Sequence, residues 1–109
     1  MLKNSYGPET PVSSDILLEK HRLPGEDFED GCSRIAHALK DDESHFRSFR
    51  STLLDLKFLP GGRVQSAMGA PRTVTPYNCF VSPTIEDSMS GIMSALESAA
   101  ETMRLGGGI

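Results

Sequence analysis

This sequence predicts a mainly α-helical chain with one or two short strands, on three observations. Apolar residues recur at helical steps in three stretches: Phe28, Cys32, Ile35 and Leu39, then Phe46, Phe49, Leu53 and Leu56, then Met89, Ile92, Met93, Leu96, Ala99, Ala100 and Met103. Pro and Gly punctuate the chain between such stretches, at Leu23-Pro24-Gly25 and Pro60-Gly61-Gly62. A single run, Tyr77 to Val81, reads as a strand, and Pro83-Thr84 ends it.

In chain order, residues 1–12 carry Pro8 and Pro11 among polar residues and predict a loose lead-in. Ser13 or Ser14 is expected to cap a short helix through His21, since a serine oxygen accepts the free amides of a first turn. Leu23-Pro24-Gly25 breaks it, and Glu26 and Asp27 favour a new start through the helix dipole. Cys32 falls on the apolar face of that second helix and is expected to pack as a small hydrophobe. A third helix is expected from Asp42 to Leu56, joining the first two in one packed unit. Pro60-Gly61-Gly62 predicts a tight, exposed turn, and Arg63 to Arg72 a structured loop. The last helix is expected from Asp87 to Leu105, with small residues (Gly91, Ala95, Ala99) on or beside its apolar stripe for close packing against a sheet.

The composition narrows the function. The 109 residues suffice for one small domain with one core. Eleven basic residues are scattered among 15 acidic ones for a net charge of −4, so no nucleic-acid surface is expected. No apolar run approaches a membrane span and no signal segment opens the chain, so neither a membrane partner nor export is expected. Two cysteines are too few for a secreted disulfide framework, which points to the cytoplasm. Cys32 and Cys79, with His21, His37 and His45 far apart, lack the spacing of a zinc site, and the histidines are expected at the solvated surface.

Two features carry candidate chemistry. On pattern alone Cys79 is either a buried strand cysteine or a redox thiol whose partner lies outside this chain. Gly106-Gly107-Gly108 stops the last helix, which one glycine would accomplish. Three in succession imply that a backbone must closely approach something, a ligand or another strand. Asp87-Ser88 reads as a helix N-cap whose free amides also suit a ribose or phosphate, and Arg104 lies near the other end of that helix.

In order, F-L-P-G-G-R at 58–63, Y-N-C-F-V at 77–81, E-D-S-M-S-G-I at 86–92 and G-G-G-I at 106–109 resemble the front part of a ribonucleotide reductase large chain. The resemblance is closest to the adenosylcobalamin-dependent class, and L-P-G-E-D-F at 23–28 fits that class too. It covers the chain from about Ser14 to Ile109.

The resemblance implies a helical N-terminal region over residues 1–60. Residues 61–109 would then begin a ten-stranded α/β barrel, of which this chain holds the first strand and helix. It implies that Cys79 is one member of the dithiol that reduces the substrate ribose, and that Val64, Asn78, Cys79 and Gly108 bind the substrate. Val64 stands where many relatives carry a Ser or Thr and brings no hydroxyl. Asp87, Ser88, Met89 and Arg104 match the region that binds the allosteric deoxynucleotide effector. Adenosylcobalamin, a ribonucleotide substrate, a thioredoxin-like reductant, the remainder of the reductase chain and a homodimer are the implied cofactor and partners. The radical cysteine, the second thiol of the pair and the residues of the radical-bearing loop would follow Ile109, so this chain alone is expected to be inactive. A different class of function stands beside this one: a non-catalytic helical module that binds a nucleotide for regulation.

Overall fold

The computed structural model describes residues 6–109, and the part of the expected lead-in at residues 1–5 lies outside them. The described chain is mainly helical and has no sheet. It divides into two compact units, one ending at Pro71 and the other running from Arg72 to Ile109.

The first unit begins with α1 (Pro11–Ile16), which continues as one π-helical turn over Leu17–His21. Its end at His21 is as expected, but its start is earlier. Thr10, rather than Ser13 or Ser14, is the N-cap, with its Oγ1 accepting the Ser13 amide at 3.3 Å. Pro11 explains the shift: proline fits the first helical position, where its missing N–H has no intrahelical acceptor to lose.

Gly25, at φ +81°, turns the chain into α2 (Phe28–Leu39). Asp27 caps it reciprocally: its carboxylate accepts the Asp30 amide at 2.8 Å while Asp30 accepts that of Asp27 at 3.2 Å. Helix α3 (Glu43–Leu54) is capped by Asp42, whose Oδ1 accepts the His45 amide at 2.8 Å. The α2–α3 pair buries Cys32, Ile35, Ala36, Leu53 and Leu54, with Phe28, Phe46, Phe49 and Met68 packed on the margin. The helical spacing therefore identified the core face, but not its two ends. Leu39 and Leu56 are exposed. Leu56 leaves the face because the helix closes before it: its amide bonds to Leu53 O, the Lys57 amide to Thr52 O, and Leu56 itself turns left-handed at φ +53°.

The loop expected from Arg63 to Arg72 is instead opened by a short helix, α4 (Gly62–Ala67), capped by Gly61. Pro60 is buried rather than exposed, and its carbonyl accepts Gln65 Nε2 at 2.7 Å. Glycine at 62 serves packing: a Cβ there would lie 2.5 Å from the His21 ring. His21 is accordingly half-buried, not solvated, and its Nδ1 has no partner.

Arg34, ion-paired with Glu26, ties α2 to α4. Arg34 Nε meets Glu26 Oε1 at 2.7 Å, Nη2 meets Oε2 at 3.0 Å, and the same guanidinium donates to the carbonyls of Gln65 (2.9 Å) and Met68. The two side chains are only 10% and 11% exposed. Glu26 thus turns away from the dipole role expected of it. Burial alone would raise its pKa. The hydrogen bonds from Arg34 and the Leu23 amide, with the charges of Arg34 and Arg22, outweigh burial and hold the carboxyl below 4.5. A depressed native pKa stabilises the fold fully above the unfolded value and loses that contribution as pH falls through the native one. Urea titrations should therefore show stability falling as pH drops below 4.5, and Glu26→Gln should flatten that slope while destabilising the protein at neutral pH. An unchanged slope in the variant would show that the pair contributes nothing.

The second unit contains α5 (Met89–Arg104), capped by Ser88, whose Oγ accepts the Gly91 amide at 3.0 Å. Its apolar stripe is exposed: Met89, Ile92, Met93, Leu96 and Met103 are each at least half open to solvent. The strand expected over Tyr77–Val81 is reduced to one parallel bridge between Cys79 and Gly108. A strand exists only as far as its backbone finds partners, and among the described residues only the glycine segment supplies one. Val81, just past the bridge, is fully open. Among the described residues no helix is long and apolar enough to cross a membrane.

Candidate functional site around Cys79

The glycines after α5 create the site, and each has a separate physical task. Gly106, at φ +86°, ends the helix in a left-handed turn, with its amide on Met103 O at 2.9 Å and the Gly107 amide on Thr102 O at 3.0 Å. Gly107 is buried against Phe80; a Cβ there would meet the Phe80 ring at 2.5 Å and Thr102 at 3.0 Å. Gly108 pairs with the cysteine segment, its amide donating to Asn78 O at 2.7 Å and its carbonyl accepting the Phe80 amide at 2.9 Å. The glycine run thus requires a close approach of two backbones, one of the two reasons the sequence offered for it.

The opposing segment is held at two levels. Buried Thr75 donates its amide to Leu105 O at 3.1 Å, and its Oγ1 accepts the Tyr77 amide at 3.1 Å. Tyr77 and Phe80 meet edge to face, their centroids 6.2 Å apart. Between these anchors, Cys79 is exposed, which overturns the buried alternative for it. Its Sγ stands 3.6 Å from where a Cβ on Gly108 would be, so the thiol lies over a backbone with no side chain to shield it. In a parallel bridge the paired glycine spends its N–H and C=O on the residues flanking Cys79, and the N–H and C=O of Cys79 itself face the other way.

Cys32 contrasts with it at every point. It is 5% exposed in the α2–α3 core, and burial pushes its thiol up to about 11. A thiol kept protonated and covered is a packing group, as its place on the helix predicted.

Of the residues implied to bind substrate, Asn78, Cys79 and Gly108 come together through the bridge. Val64 belongs to the first unit, half-buried on α4. The effector set divides within α5. Asp87, Ser88 and Met89 gather exposed at its start, whereas Arg104 lies about 22 Å away at a rise of ~1.5 Å per residue. Arg104 pairs there with Glu101 at 2.9 Å. Phe80 and Thr75 are contributors that sequence reasoning missed. The only signal for Phe80 was its place next to the cysteine and opposite a glycine run.

No protein-family model, curated protein or solved structure matches this chain.

Proposed function

We propose that this chain is the N-terminal part of a ribonucleotide reductase of the adenosylcobalamin-dependent class, and that Cys79 is one thiol of the pair that reduces the substrate ribose. The observation that carries this reading is the parallel bridge that sets the exposed Cys79 thiol beside the bare backbone of Gly108. A thiol that must meet a sugar carbon needs an open face on one side and a fixed backbone beneath it, and both are present. The ordered motifs supply the family.

In this reading the ribose 2′ C–O bond breaks, the hydroxyl leaves as water, and a C–H bond replaces it. Cys79 and a partner thiol beyond Ile109 together give up two electrons and two protons and become joined by an S–S bond. A thioredoxin-like dithiol then restores both thiols. Asn78 and Gly108 line the substrate's approach. Adenosylcobalamin, when bound, supplies the radical that activates the ribose. The described residues do not fit a contact to it. His21, His37 and His45 stand on separate elements, the free His21 Nδ1 is covered by Gly62, and no three His, Cys, Asp or Glu side chains gather.

The exposed stripe of α5 supports a role for the rest of the chain. In the proposed enzyme the remaining strands and helices of an α/β barrel cover it, with residues 61–109 as the barrel's start and residues 1–60 as a helical region before it. Asp87, Ser88 and Met89 receive a deoxynucleotide effector. Their distance from Arg104 means that both can hold one effector only if it lies along the helix or if the second comes from the partner in a homodimer.

The direct test joins this chain to the downstream remainder of a reductase and supplies a ribonucleoside di- or triphosphate, adenosylcobalamin and a dithiol. Deoxyribonucleotide should form, and none should form with the 109-residue chain alone. A folded, nucleotide-binding protein that yields no deoxyribonucleotide would overturn the proposal in favour of the regulatory module.

A further inference from the structure

We propose that Phe80 and Gly107 form a steric latch that fixes the Cys79 thiol over the Gly108 backbone, which makes Phe80 a positioning residue for the thiol's chemistry. The inference rests on Cys79 being the working thiol.

Two hydrogen bonds hold Cys79 opposite Gly108, at 2.7 and 2.9 Å. A single bridge of this kind is weak by itself and open to slippage, because an isolated strand pair is marginal in water. Slippage by one residue would turn Cys79 to the other face and set Gly107 or Ile109 opposite it. The ring of Phe80 prevents this. It occupies the space where a Cβ on Gly107 would lie, 2.5 Å from that point, with Thr102 of α5 3.0 Å from it, and is itself 39% exposed. Tyr77 meets it edge to face. Phe80 is therefore held by the helix end, and the amide of Phe80 is one of the two donors of the bridge. With the ring seated against Gly107, that donor stays beside the helix end, and with it the thiol on the preceding residue.

Gly107→Ala sets the new methyl group against the ring and should open the bridge, since overpacking a close contact displaces whatever can move. Amide hydrogen exchange of the 109-residue chain reads this without any activity. At Phe80 and Gly108 exchange should speed up about 10- to 100-fold, while the Ile92 amide, bonded to Ser88 O inside α5, keeps its rate. Phe80→Ala, which removes the ring, should speed exchange of both bridge amides by a similar factor, because nothing then holds the register. Unprotected Phe80 and Gly108 amides in the parent, no change in Gly107→Ala, or full protection kept in Phe80→Ala would each overturn the latch. If Gly107→Ala unfolds altogether, Phe80→Ala decides alone. In the reductase, Phe80→Ala should lower kcat and leave KM near the parent value, because the thiol rather than the substrate is misplaced. The two failures are distinct: exchange can refute the latch while Cys79 remains essential, and an active Cys79→Ser enzyme would refute the redox reading while the latch still protects its amides.

Discussion

In the proposed reductase, Cys79→Ser should abolish turnover, by at least ~10³-fold with a dithiol as reductant. A serine oxygen preserves the size of the side chain and the bridge to Gly108, but it cannot give up its electrons by forming a disulfide. Cys32→Ser should leave turnover close to the parent. Its effect falls on the first unit, where a hydroxyl would be placed in the α2–α3 core at a position 5% exposed, at a loss of about 1–3 kcal/mol of stability. The pair of substitutions separates chemistry from packing because the two thiols differ in exposure and in the work their surroundings permit. Equal rates for the Cys79 variant and the parent would remove the redox assignment.

The isolated 109-residue chain should be only marginally stable. Helix α5 shows solvent a face on which Met89 is 74%, Leu96 60% and Met103 58% exposed, with no apolar element packed on it among the described residues. The backbone pairing of the second unit amounts to one bridge, less than the two-stranded hairpin that is already marginal in water. The buried core of the first unit consists of Cys32, Ile35, Ala36, Leu53 and Leu54, with no large side chain fully enclosed. Heating followed by circular dichroism should give a broad, shallow loss of helix. Joining the chain to the rest of the proposed reductase should sharpen that transition and move it upward. One cooperative transition above ~65 °C in the isolated chain would contradict the account of the stripe.

Helices and core were legible wherever spacing and caps agreed. Asp27 and Asp42 mark the starts of α2 and α3, and the steps between Phe28, Cys32 and Ile35 identify the face that packs. Local reading failed where a distant partner decides the conformation. Nothing near Gly62 announces that His21 will lie against it, so α4 read as loop. The apolar run from Tyr77 to Val81 suits a strand, but a strand's length depends on partners, and among the described residues only Gly108 bridges to it. At the site, the helix stop and the close approach were both implicit in three glycines. That the approaching group is the Asn78–Phe80 backbone, and that Phe80 fills the space over Gly107, is decided by contacts between segments far apart in the sequence. Glu26 shows the same limit for charge: its sequence neighbours suggest a helix dipole, while its actual partner, Arg34, is eight residues away.

The most direct measurement is a single turnover without external reductant, followed by digestion under non-reducing conditions and mass spectrometry of the cysteine peptides. The account predicts that the Cys79 peptide becomes disulfide-linked to a cysteine downstream of Ile109, in step with the deoxyribonucleotide formed, while Cys32 remains a free thiol. Deoxyribonucleotide formed with Cys79 still reduced would contradict it.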